Sequence, residues 1–163
     1  MRHLNAIAGV LALLIVLALG AWWLSERLAP HQTPRFDAAR FAAIAAPRET
    51  LPAGGERWLV AVNPGCPHCR EHLAALASRL ARPLRPAPHP VLSVLVVDWP
   101  QRPSAEADAL SLLAPGGVWW DSARVWRGEW KHGAYAEVLV FDAQGRYHTT
   151  HGSEFLPDTA ASN

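Results

Sequence analysis

Residues 57–81 read RWLVAVNPGCPHCREHLAALASRLA, and the stretch changes character at its middle. Arg57–Val62 is a short apolar run of strand-forming residues, stopped by Asn63-Pro64-Gly65; that pattern predicts a buried strand ending in a turn. Beyond it Leu73, Leu76, Ala77 and Leu80 recur at helical spacing. The only two cysteines of the chain, Cys66 and Cys69, fall at the junction. Cys66 is thus expected at a helix N-terminus, where free N–H groups and the helix dipole favour an anionic sulfur. Cys69 follows one turn later, within reach of a mixed disulfide formed at Cys66. Pro67 suits the first helical turn, where its missing N–H costs little, and His68 would add a positive charge beside the sulfur. Pro67 and His68 are therefore the expected tuning residues. A static disulfide here would close too short a loop to add much stability, so exchange chemistry is the better use of the pair.

Metal binding is one competing reading; a non-catalytic interaction module is the other. Cys66, His68, Cys69 and His72 lie within one seven-residue stretch, and two thiolates with imidazole suit Cu(I) or Zn(II). No second Cys-x-x-Cys or paired-histidine motif supplies a closed four-ligand set. Arg70 stands where covalent haem attachment requires histidine.

Working outward, the proline-rich residues 82–90 are expected to be extended, since each proline removes a donor and disfavours a helical predecessor. Val91–Val97 is a second apolar strand. Strand, helix and strand of these lengths form a right-handed βαβ unit with parallel strands. Residues 104–113 suit a second helix opened by Ser104 and broken by Pro115-Gly116-Gly117. Ala136–Phe141, the turn at 142–145 and Arg146–Thr150 predict an antiparallel hairpin. Upstream, Phe36, Phe41 and Ile44 among alanines suit a short amphipathic helix ending before Pro47. The segment 118–133 carries Trp119, Trp120, Trp126 and Trp130 and fits no element cleanly. These tryptophans are expected to complete the core rather than to form a docking face. His132, His148 and His151 would approach one another across the hairpin, although lone histidines are more often structural or exposed.

The chain has 163 residues, half of them apolar, with 18% charged and a net charge of +1. That is enough for one domain plus an appendage, and the absence of a basic stripe argues against a nucleic-acid partner. The appendage is residues 4–24, LNAIAGVLALLIVLALGAWWL, which contains no charged residue. It is long enough to cross a bilayer, with Trp22 and Trp23 placed for the membrane interface; a cleaved secretory signal is the alternative, with Ala18-Leu19-Gly20 as a small-x-small site. Arg2 and His3 precede the run, while Glu26 and Arg27 follow it. The slight bias favours a cytoplasmic N-terminus and an exported C-terminal domain, a compartment where disulfides persist.

Taken with CPHC, this element order and the hairpin VLVFDAQGRYHTTHG resemble the thioredoxin-like superfamily, in its membrane-anchored exported thiol-disulfide oxidoreductases. The resemblance implies a three-layer α/β/α sandwich with a mixed central sheet, preceded by an N-terminal transmembrane helix. Residues 1–25 would be the anchor or uncleaved signal, 26–49 a tether and short helix, 50–152 the thioredoxin-like domain and 153–163 a flexible tail. It implies Cys66 as attacking thiol and Cys69 as resolving thiol, with no cofactor beyond their redox-active disulfide. Copper enters only under the metal reading. Implied partners are protein thiols or disulfides in the exported compartment, and the implied location is a bacterial-type inner membrane, single-pass, with the domain facing the periplasm. The family usually sets a cis-proline before the strand facing the cysteines; here Tyr135 or Ala136 occupies that neighbourhood. A tryptophan often precedes the first cysteine, where this chain has Gly65. The strand Trp58–Val62 also lacks a buried acid.

Overall fold

The computed structural model describes residues 14–21, 33–81, 89–103 and 105–156. The chain divides into two compact units, Met1–His31 and Gln32–Asn163. In the first, residues 14–21 are helical. Among the described residues no helix is long and apolar enough to cross a membrane; the rest of the apolar run 4–24 lies outside them.

The second unit is built on a mixed six-stranded sheet. In chain order its strands are β1 (Ala42–Ala45), β2 (Arg57–Val62), β3 (Val91–Val96), β4 (Val118–Trp120), β5 (Val138–Phe141) and β6 (Tyr147–His151). Their order across the sheet is β1-β4-β3-β2-β5-β6. The expected βαβ unit is present: β2 and β3 pair in parallel from Arg57↔Val91 to Val62↔Val96, connected through α1 (Pro67–Leu80). β4 extends the parallel set on β3, while β5 runs antiparallel to β2 and β6 to β5.

Alternation along the strands sends side chains to two buried faces. On one face Trp58, Val60, Val62, Leu92, Val94 and Val96 pack with Cys69, Leu73 and Leu76 of α1 and Leu110 of α2 (Ala105–Leu113). On the other, Leu59, Ala61, Leu95, Leu139 and Phe141 meet Phe36, Phe41, Trp119, Trp126 and Trp130. Among the described residues this second layer contains one short α-helix, α3 (Val125–Gly128), and owes its thickness to aromatic rings. Phe36 meets Trp119 edge-on at 5.1 Å between centroids, and Trp126 meets Trp130 at 6.4 Å, geometries in which ring edge and ring face attract. The tryptophan-rich segment is thus core on this face, and also supplies β4, a strand of three residues too short to leave a periodic signature.

Two segments differ from the sequence expectation. Residues 36–44 do not form an amphipathic helix. A single 3-10 turn, Ala38–Arg40, is capped by the Asp37 carboxylate on Ala39 N–H, after which Ala42–Ala45 pairs antiparallel with β4. Burying both Phe36 and Phe41 against the second face prevails over the weak helical preference of the alanines. Of the segment expected as a flexible tail, Phe155 and Leu156 pack on the first face. Phe155 stacks on His151 at 3.9 Å and meets Trp58 edge-on at 5.5 Å. Residues 157–163, and the expected N-cap Ser104, lie outside the described residues.

The hairpin turn is held by Gly145, whose φ of +74° suits glycine and whose carbonyl accepts from Phe36 N–H at 2.9 Å. A side chain there would strike the Phe36 carbonyl.

Candidate functional site

The parallel direction of β2, β3 and β4 brings their C-terminal ends to one edge of the sheet, and β5, antiparallel, begins there. Four connections converge on that edge: 63–66 after β2, Asp98-Trp99 after β3, 121–124 after β4 and Tyr135-Ala136 before β5.

The cysteine turn is organised by Asn63. Its side-chain oxygen accepts from Gly65 N–H at 2.9 Å and its carbonyl accepts from Cys66 N–H at 2.9 Å. Its amide nitrogen donates to the Val97 and Asp98 carbonyls, at 3.3 and 3.2 Å, tying the turn to the end of β3. Cys66 is the N-cap of α1, with extended backbone (φ −96°, ψ 108°), and Pro67 opens the helix. The Cys66 Sγ accepts from Cys69 N–H at 3.3 Å, a contact that satisfies one of the donors a helix start leaves unpaired. Both cysteines are free thiols; Cys66 is half-buried and Cys69 buried. Burial, reinforced by hydrogen bonding and charge interaction with Cys66, pushes the Cys69 thiol up to about 11. The two sulfurs therefore differ in access, and the buried one holds its proton.

His68 is 89% exposed and its Nδ1 lies 3.6 Å from Glu71 Oε2, one turn along the helix. His72 is half-buried; desolvation lowers its pKa against the opposing influence of Glu154, and its Nε2 has no hydrogen-bond partner among the described residues. Among the described residues no three or more histidine, cysteine, aspartate or glutamate side chains are gathered in a metal-holding arrangement. The later histidines take separate partners: His132 Nδ1 meets Glu137 at 3.0 Å, His148 Nε2 lies 3.8 Å from Asp142, and His151 stacks on Phe155.

Tyr135 and Ala136 lie at the same sheet edge as the cysteine turn. Ala136 shares a buried cluster with Cys69, and Tyr135 and Cys66 both pack against that cluster. Ala136 N–H donates to Ala61 O at 2.7 Å, and Ala61 N–H to Glu137 O at 3.2 Å, fastening the loop beside the end of β2. Ala136 pays for this with a φ of 63°, uncommon for a residue bearing a Cβ.

Three residues at this edge escaped the sequence reading. Trp99 lies against the cysteine turn, its Cζ3 3.7 Å from where a side chain on Gly65 would begin, and its carbonyl accepts from Trp120 Nε1 at 3.1 Å. A tryptophan thus reaches the turn from the end of β3 rather than from the position before Cys66. Asp98 and Arg127 form an ion pair, with Arg127 Nη2 and Asp98 Oδ2 at 2.6 Å. The Tyr135 hydroxyl donates to the same oxygen at 2.9 Å. The available signal was the parallel pairing itself, which places whatever follows β3 next to whatever follows β2.

No protein-family model matches the chain, and no curated protein matches it. Solved structures do. StoA from Bacillus subtilis superposes with a TM-score of 0.50 at 13% identity, over 75% of this chain and 90% of its own. Copper-bound ScoI from Arabidopsis thaliana gives 0.49 at 12% identity, over 63% and 77% of the two chains. The thioredoxin domain of a thiol-disulfide oxidoreductase from Bacteroides vulgatus gives 0.46 at 12%, over 65% and 74%. The fold is thioredoxin-like.

Proposed function

We propose that this thioredoxin-like chain is a thiol-disulfide oxidoreductase that exchanges disulfides with proteins through Cys66 and Cys69. One observation carries the reading: an accessible sulfur caps a helix N-terminus while its partner sulfur is buried and protonated one turn away. In the reducing direction the Cys66 thiolate attacks a partner disulfide, forming a mixed disulfide and releasing one partner thiolate. Cys69 then gives up its proton and attacks the Cys66 sulfur. The Cys66–Cys69 disulfide forms, the second partner thiol leaves, and two electrons have passed to the partner. The oxidising direction runs through the same species in reverse, and no dissociable cofactor is required.

The proposal extends to location. The charge-free run at residues 4–24 would tether the chain to a bacterial-type inner membrane with the domain on the periplasmic side. Support comes from the length of the run and from the stability of disulfides in exported compartments.

A second reading, Cu(I) carriage by Cys66, Cys69 and a histidine, draws on His72 Nε2, which has no hydrogen-bond partner among the described residues and lies one turn beyond Cys69. His68 contributes less to it, being turned toward Glu71.

Mixed-disulfide trapping tests the main reading. The full chain carrying Cys69→Ser, expressed in bacteria, should accumulate adducts that dissolve in reductant, fractionate with membranes and vanish when Cys66→Ser is added. Adducts that persist without Cys66, or no adducts at all, would contradict it.

A further inference from the structure

Asp98 joins the two loops that flank the cysteines. Its backbone carbonyl accepts from Asn63 Nδ2 at 3.2 Å, and the same Asn63 side chain accepts from Gly65 N–H at 2.9 Å, so Asp98 holds the cysteine turn from one side. Its side chain reaches the other way. Asp98 Oδ2 receives Arg127 Nε at 2.7 Å, Arg127 Nη2 at 2.6 Å and the Tyr135 hydroxyl at 2.9 Å. Arg127 adds a second hold on the same loop, with Nη1 donating to Gly133 O at 2.6 Å and its guanidinium 5.3 Å from the Tyr135 ring centroid. One residue therefore sets the spacing between the Cys66 turn and the loop 133–136.

The backbone indicates that this spacing is imposed. Asp98 has a φ of 52° and Ala136 a φ of 63°, both in the left-handed region that residues with a Cβ avoid. Such conformations persist where surrounding contacts over-determine them, and they concentrate at functional sites. The side chains of the pair are 37% and 26% exposed, and an ion pair so open to water adds little to global stability. Its consequence is geometric. Arg127 and Tyr135 hold the Asp98 carboxyl below the usual carboxylate range, so the acceptor stays ionised at neutral pH.

We propose that Asp98 is a positioning residue of the exchange site, which through Tyr135 and Arg127 fixes the loop 133–136 beside the dithiol and so sets how tightly an extended segment of a partner protein seats against Cys66. The proposal rests on the oxidoreductase reading for the partner, while the latch itself is a property of the fold. In this chain the latch acts where the superfamily resemblance leads one to expect a cis-proline and where Tyr135-Ala136 stands instead.

The test uses the full chain with Asp98→Asn, Tyr135→Phe and the two combined. With a disulfide-bonded model peptide as substrate, each single variant should raise KM about tenfold, the scale of losing one charge-assisted hydrogen bond, with kcat little changed. The reduction potential of the dithiol should stay at the wild-type value, because neither group touches a sulfur. The double variant should be no worse than the more damaging single, since both changes break one chain of contacts. A wild-type KM in folded Asp98→Asn overturns the proposal, and so does an effect confined to the reduction potential. Hydrogen exchange at the Ala136 amide separates this from the fate of the parent reading. If the wild-type chain exchanges no disulfides, the oxidoreductase reading and the seating role fall together, yet the latch still requires Ala136 to exchange about tenfold faster in Asp98→Asn. Unchanged protection there refutes the latch on its own.

Discussion

Cys66→Ser is expected to reduce catalysed thiol-disulfide exchange by at least about a thousandfold, because it removes the one sulfur that is both accessible and at the head of α1. A serine hydroxyl at neutral pH is neither ionised nor capable of forming the mixed disulfide. The remaining thiol cannot take over, since Cys69 is fully buried. The check is a kinetic assay on a disulfide-bonded peptide, comparing wild type, Cys66→Ser and Cys69→Ser. The asymmetry predicts different failures. Without Cys66 no adduct forms, whereas without Cys69 one does form and stalls. Equal adduct formation by the two single variants would mean that the sulfurs are interchangeable, which their burial forbids. Stability should be almost untouched, because serine retains an acceptor for the N-cap contact to residue 69.

The second large effect is in pH. With its thiol raised to about 11 by burial and by the Cys66 sulfur, Cys69 is ionised in only roughly a thousandth of reduced molecules at pH 8. Alkylation by iodoacetamide, mapped by mass spectrometry, should therefore label Cys66 at pH 8 and leave Cys69 unmodified until the pH approaches 11. The same shift makes reduced-state stability pH-dependent. A cysteine thiol titrates ordinarily near 9.0, so between about 9 and 11 the unfolded chain gives up a proton that the folded chain keeps. Below that window Cys69 does not alter the folding equilibrium with pH; across it, rising pH drains stability from the native state. Cys69 labelled as readily as Cys66 at pH 8 in folded protein would contradict the burial on which this rests.

How much of this was legible beforehand depended on whether a feature was local. The β2–α1 junction could be read because a continuous apolar run gives way to helical spacing at a turn-forming Asn-Pro-Gly, and both cysteines lie at that change. The parallel pairing of β2 with β3 followed from the length of what connects them. β1 and β4 could not be read: four residues and three residues carry no period, and β1 is a strand because β4 is beside it, as β4 is because it lies between β1 and β3. The same physics hid half of the site. Asp98 lies 29 residues from Arg127 and 37 from Tyr135, and nothing in the neighbourhood of any one of them marks a partnership created by the sheet edge. The sequence marks Tyr135 and Ala136 as a place, before β5, but the positive φ of Ala136 and the hydrogen bond that fixes Tyr135 are tertiary facts. His68 shows the converse limit. Its position beside Cys66 in sequence was plain, while the rotamer that sends it toward Glu71 was not.

The proposed function requires that Cys66 and Cys69 form one reversible two-electron couple. The most direct measurement is equilibration of the purified full chain with glutathione buffers of graded ratio, followed by acid quenching, thiol counting and mass mapping. A single transition is expected in which both thiols disappear together, leaving an intramolecular Cys66–Cys69 disulfide and a monomer. Thiols that persist across the whole range of ratios, or that oxidise only by linking separate chains or by stopping at one glutathione adduct, would contradict it.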